Sequence, residues 1–438
     1  AHRPGPDRPG GSDRSGGSDR PGRSGVSAAV DDEPARRWWQ LALISFGLLC
    51  AMSPSFAASS VAPALRSEWG LDALGLPVLT IAVLLGFAVA AIALGAAGAP
   101  DVIPGPRLFA LGALGAGLAN LGFALVTTDL ASALPFRVLT GAAEAAAYPV
   151  ALKLVAGWFR RDRGLATGAI IGALTLGTAS PLLFRAIGVA AGLDWRAVIL
   201  TASLACVVGA VVVMVGVRTG PFDTPAPRFS LRIAARAFGE PSVRLANAGY
   251  LGHMWELFAM WTWVPVFFVA SLAAAGIQDQ AIANLAAFSV VAVGGLGCVA
   301  AGAIADRVGR SITTIVAMAI SGTSAVAVGL AFGGPAPVVV ALGLVWGISV
   351  IADSAQFSAA VSELAPSGTA GSALSLQTAS GFVFTSITIL LIGVMDPTDA
   401  AGWRIAFALL AIGPAVGIVA MWRLRQRPEA VRMASGHR

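Results

Sequence analysis

The sequence predicts an all-α membrane protein of twelve transmembrane helices, arranged as two six-helix pseudo-repeats. Hydrophobic residues make up 56% of the 438 and charged ones only 12%, against about 25% charged in soluble domains. Apolar windows long enough to cross a bilayer, ~20 residues, recur twelve times. Distant stretches also echo one another: "DWRAVILTASLA" in the sixth window returns as "GWRIAFALLAIG" in the twelfth, with Trp195 and Trp403 separated by 208 positions. Asp101 and Asp306, after the second and eighth windows, are separated by 205.

Residues 1–35 repeat Arg-Pro-Gly and Gly-Ser-Asp-Arg themes without an apolar stretch. They cannot bury enough surface to fold and are expected to form a disordered cytoplasmic tail, not a signal peptide. The spans begin near Trp38, Ala73, Arg107, Leu130, Gly164 and Arg196 in an N-terminal bundle, 36–217. Residues 218–241 form a central cytoplasmic loop, a Pro-rich piece followed by a short basic amphipathic stretch. The C-terminal bundle, 242–423, has spans near Ser242, Gln278, Ile312, Pro337, Thr369 and Gly402, and 424–438 is a cytoplasmic tail. Pro54 marks a hinge candidate in the first span. The 52 glycines suit close helix approach in lipid, and Gly164, Gly168 and Gly172 form a stripe for packing. Cys50, Cys206 and Cys298 sit far apart in apolar runs and read as small hydrophobes.

With the N-terminus placed in the cytoplasm, cytoplasmic segments hold 23 basic residues, and external loops hold only Arg66, Arg196 and Arg404. That bias predicts a multi-pass protein of the cytoplasmic (inner or plasma) membrane with both termini inside. The net charge of +6 is shared among many short loops, so it calls for a lipid bilayer and no nucleic acid. A monomer is expected.

Ionisable groups inside spans are costly and are functional candidates by default. The stretch "GHMWELFAMWTWVP", 252–265, holds His253 and Glu256 on adjoining turns, where a mutual hydrogen bond would satisfy both. The fourth window has Arg137, Glu144 and Lys153, the fifth Arg185 and the tenth Asp353. Arg137 and Glu144 share a helical face and can pair through an intervening group. The candidate substrate-binding or proton-coupling set is Arg137, Glu144, Tyr148, His253, Glu256, Asp353 and Gln356. Trp263 is a candidate for an aromatic belt, and Trp255 or Trp261 for stacking on substrate.

No cofactor or metal is expected. The only lysine, Lys153, is followed by leucine, which excludes a P-loop. A single histidine outside the tails excludes a two-histidine zinc helix, and an intramembrane enzyme built on His253 and Glu256 lacks a further catalytic partner. The chain is read as no enzyme.

"GAIADRVGR", Gly302 to Arg310, resembles the loop motif of the major facilitator superfamily: a glycine, Asp-Arg four residues on, then a glycine and an arginine. The first-half copy, "GAAGAPDVIPGPR", keeps Asp101, Gly105 and Arg107. The resemblance implies gating roles for Asp101, Arg107, Asp306, Arg307 and Arg310. It also implies a cavity lined by helices one, four, seven and ten, and a substrate site near the midplane between the halves. "RVLTGAAEAAAYPVALKLVAGWF" and "RGLATGAIIGALTLGTASP" are similar to the nitrate/nitrite porter-like branch. Residues 71–100 and 272–306 nevertheless contain no arginine to hold the anion as those porters do. "GTASPLL" has the proline, but not the Gly-Pro pair, of drug/proton antiporters.

The expected function is secondary active transport by alternating access, a symport of protons with a small polar, anionic organic solute. Arg137 and Lys153 would supply positive potential. The alternatives are a proton-antiport exporter of drugs or metabolites, whose acidic cavity attracts cationic amphipathic compounds, and a nitrate/nitrite transporter.

Overall fold

A computed structural model describes residues 33–160, 162–224 and 228–437. The expected tail, 1–35, lies outside the described residues except for the backbone of 33–35. Twelve spans are present. The first, α1, is broken into Glu33–Ala51, Ala57–Ser60 and Ala62–Trp69. The other eleven are continuous enough, and apolar enough, to cross a membrane: α2 (Gly75–Ala97), α3 (Gly105–Val126), α4 (Leu130–Trp158), α5 (Arg163–Ala190), α6 (Trp195–Gly216), α7 (Pro241–Ala274), α8 (Gln280–Val308), α9 (Arg310–Leu330), α10 (Ala336–Leu364), α11 (Ala370–Met395) and α12 (Ala400–Arg425). The described chain begins and ends on one side of the bundle, the termini face. The opposite side is the far face.

Helix starts on the far face share a chemistry. Asp129, Asp194, Asp279 and Asp399 each accept a hydrogen bond from a first-turn N–H of α4, α6, α8 and α12, at 2.8, 2.6, 2.8 and 2.8 Å. Asp72 does the same for Gly75 at the start of α2, at 2.9 Å. A carboxylate there satisfies an orphan donor and complements the positive end of the helix dipole. Aspartates therefore cap most helix starts on the far face, opposite the arginine-rich termini face.

The six-plus-six repeat is visible in packing. Trp195 and Trp403, at the starts of α6 and α12, are both fully buried in their own halves. Across the halves α5 runs along α8 and α2 along α11. The basic stretch of the central loop is a helix, Leu231–Gly239, lying against α11 and α7. Residues 428–436 form a 3-10 stretch, Pro428–Gly436, with Ala430 and Met433 buried. That end of the chain is thus packed on the second half.

Five spans lose helical structure part-way along: α1 over 52–56, α4 over 145–147, α8 at Val293, α10 at Asp353 and α12 at Ala411. Pro54 and Pro149 account for the first two, since a proline cannot donate to the carbonyl one turn back. Irregular backbone at such depth is tolerated where it is buried in protein or lines a cavity.

Candidate functional site

The breaks in α1, α4 and α10 lie beside one space. Between the halves lies a cavity of about 90 Å³, large enough for several waters. Its walls come from both bundles: Met52, Ser55 and Phe56 of α1, Val83, Leu84 and Phe87 of α2, Glu144 and Tyr148 of α4, Tyr250, Met254, Leu257, Phe258 and Trp261 of α7, Ser354 and Ser358 of α10, and Phe382 of α11. An aromatic box bridges the halves. Phe87 meets Phe382 edge-on with centroids 4.9 Å apart, Phe56 stacks on Phe258 at 5.8 Å, and Trp261 stands edge-on to both Phe56 and Phe258, at 5.7 and 5.2 Å. On the far-face side a second, narrower space is closed by Phe56, Trp261, Leu182 and Pro265. The two tyrosines of the chain, Tyr148 and Tyr250, both face the cavity.

Glu144 is the only carboxylate in that lining, which holds no lysine, arginine or histidine. The Ser55 hydroxyl donates to its Oε1 at 2.8 Å. Arg137, one face of α4 and two turns away, is fully buried behind the wall. It donates from Nη1 to the Pro54 carbonyl at 3.1 Å and from Nη2 to the Ser55 carbonyl at 2.7 Å. Its guanidinium also lies 5.4 Å from the Phe123 ring centroid. The intervening group expected between Arg137 and Glu144 is therefore Ser55. The arginine supplies donors to carbonyls freed by the break in α1 and does not line the cavity.

The second-half candidates are placed differently from the expectation. His253 does not bond Glu256; its Nδ1 lies 2.9 Å from Oδ1 of Asp353, and its ring packs against Phe357, centroids 5.5 Å apart. Glu256 accepts from Trp346 Nε1 at 2.7 Å and from Ser321 Oγ at 2.8 Å. Residues three apart on one helix point different ways here, His253 toward the break in α10 and Glu256 toward α9 and the upper turns of α10. Neither these two nor Asp353 lines the cavity. Trp263 is buried and donates to the Ile389 carbonyl at 3.3 Å, so it is a core residue and not part of an aromatic belt. Trp255 donates to the Leu409 carbonyl at 3.0 Å, and Trp261 is the one that reaches the cavity.

Gln356 belongs to the loop motif. Arg310 donates to its Oε1 at 2.7 Å and holds Glu363 through two bonds, at 2.8 and 2.7 Å, joining the end of α8 and start of α9 to α10. Asp306 sits against the first turn of α5, so that a Cβ added to Gly164 would lie 2.5 Å from its Oδ2; Arg310 is 3.8 Å away. In the first half, Asp101 pairs with Lys153 at 2.7 Å, and Lys153 also donates to the Pro100 carbonyl at 2.9 Å. Arg107 and Arg307 are exposed. Arg185 is half-buried near the far end of α5. At the far face Arg66 of α1 and Asp396, just past α11, form a 3.0 Å ion pair across the halves.

Two six-helix bundles clasping a cavity at mid-depth define a membrane transporter of the secondary type. The Major Facilitator Superfamily model matches residues 44–389, and the chain belongs to that superfamily. Among solved structures it is similar to a bacterial homologue of the human lysosomal transporter Spinster, inward-facing and unoccupied. That match has a TM-score of 0.68 and 14% identity over 90% of this chain and 99% of the other. A D-xylose–proton symporter matches with a TM-score of 0.71 and 16% identity, over 90% and 98%. A search of curated proteins finds no significant match.

Proposed function

We propose that the protein exchanges a lipophilic organic cation for protons by alternating access. The observation that supports this is the cavity lining: one carboxylate, Glu144, in a box of aromatic rings. Ring faces attract a cation and its apolar groups together, and an opposite charge at the rim fixes its position. The anionic solute expected from sequence relied on Arg137 and Lys153. Both are engaged elsewhere, with the Pro54 and Ser55 carbonyls and with Asp101. Exchange follows if Glu144 binds either the cation or a proton, because each then displaces the other as the halves rock. One structural neighbour, the D-xylose–proton symporter, is proton-coupled by name, and its likeness to this chain is one of fold.

Proteoliposomes holding the purified protein test the reading. An imposed pH gradient should drive accumulation of a fluorescent aromatic cation, and Glu144→Gln should abolish that drive while leaving the protein folded. Gradient-driven movement of organic anions with no movement of the cation would overturn it. Glu256 provides an internal comparison. Its two donors, Trp346 and Ser321, can be met by a glutamine, so Glu256→Gln should keep the thermal stability of the parent. If Glu256→Gln removes the drive and Glu144→Gln retains it, the proton carrier lies in the second half.

A further inference from the structure

On the termini face, the first turns of α7 and the last turns of α12 border a broad groove lined by Pro241, Arg244, Leu245, Ala248, Arg423 and Arg427, with Gln426 between the last two. Three guanidiniums, from α7, the end of α12 and the bend just after it, thus surround one space. All three are exposed. Among the described residues none of them makes a hydrogen bond or ion pair within 4 Å. Glu240, one turn before Arg244, forms no ion pair with it. Glu429 accepts from Ser242 at 3.1 Å and stands by Arg427 and Arg432, which leaves the cluster positive.

The rest of the groove is apolar and continues into a lipid-facing surface. Leu245 and Ala248 are half-buried beneath the arginines. On α12, Ile412, Val416, Val419 and Trp422 are exposed at spacings of four, three and three, a stripe that leads to Arg423. Positive groups at the end of an apolar track, with an amphipathic tryptophan beside them, match a ligand with an anionic head and acyl chains. Planar guanidiniums suit the oxygens of phosphate, and three of them can share one head.

We propose that this groove binds the phosphate diester head of an anionic phospholipid, with its chains along the α7–α12 surface. A soluble phosphate would use the same guanidiniums without the apolar track, so the two sources are separable. Each arginine should contribute about five-fold to preference for an anionic head, and three of them roughly a hundred-fold.

The test is lipid binding to the intact protein by native mass spectrometry, with phosphatidylglycerol against phosphatidylcholine. The parent should bind phosphatidylglycerol at least ten-fold more tightly, and the triple variant Arg244→Gln/Arg423→Gln/Arg427→Gln should lose that preference. Arg232→Gln/Arg236→Gln, on the Leu231–Gly239 helix, should keep it. Should the triple variant fail to fold, Arg423→Gln alone carries the test, with a loss of about five-fold. Equal lipid preference in the triple variant and the parent overturns the proposal. So does full displacement of phosphatidylglycerol by millimolar inorganic phosphate, which would assign the groove to a soluble anion.

Discussion

With Arg137 shortened to alanine, the Pro54 and Ser55 carbonyls would remain inside the bundle without these donors. Each such group costs about 1–3 kcal/mol, so Arg137→Ala should destabilise the protein by ~3 kcal/mol or more, seen as a large fall in melting temperature in detergent. Arg137→Lys, a point charge in place of a fork, should fall in between. Glu144→Gln keeps an acceptor for the Ser55 hydroxyl and should melt close to the parent, while the proposed exchange predicts that it loses coupling. Stability and transport then separate between two side chains seven residues apart. That both would be partnered inside the bundle was legible in the sequence, because a charge in a span is expensive. What each touches was not, since the partners come from remote segments: Ser55 lies 89 residues from Glu144, Ser321 lies 65 from Glu256 and Trp346 lies 90 from it. Helical spacing alone suggested His253 with Glu256, and Asp353, arriving from α10, took the histidine. Tyr250 went unnoticed, although a chain with two tyrosines gave a signal in their scarcity.

The elements were easier to read than their contacts. Length and hydropathy placed the later span starts within about three residues, and Pro54 marked the break in α1. The break in α4 was missed, though Pro149, one turn beyond Ala145, announces it in the same way. The Gly164, Gly168 and Gly172 stripe on α5 proves to be the seam against α8. A Cβ at Gly168 would stand 2.9 Å from the Cys298 carbonyl oxygen and 3.2 Å from Val299 Cα; at Gly172 it would be 3.0 Å from the Gly295 carbonyl oxygen. These neighbours are backbone and cannot step aside. Gly168→Ala should therefore cost about 1–3 kcal/mol and Gly168→Leu more. Both should slow initial transport rates in proteoliposomes in that order. Equal rates in all three proteins would show that the seam does not tighten during turnover.

For the whole molecule, the arginines are sorted toward the termini face. That asymmetry predicts a cytoplasmic termini face. All three native cysteines are buried, so a membrane-impermeant maleimide added outside intact cells should label Gln278→Cys and leave Thr224→Cys untouched. The reverse pattern would invert the orientation. The Arg66–Asp396 ion pair joins the halves on the opposite side. If it fastens them in this conformation, Arg66→Asp and Asp396→Arg should each raise the turnover rate or lower substrate affinity by a few-fold, and the two together should bring both back toward the parent. A double-mutant cycle on transport rates measures this.

Beyond its break, α1 continues as a short arm. Phe56, at the near end, is a wall of the cavity, and Arg66, at the other, holds Asp396 in the open solution. Mechanically that is a crank with one end in the cargo hold and the other on an outside bolt. The bolt is half-exposed on both members, and ions screen such a pair within a Debye length of ~8–10 Å at physiological salt. If the pair fastens the halves, raising ionic strength on the far side alone should change the turnover rate, acting through the solvent without a molecule entering the cavity.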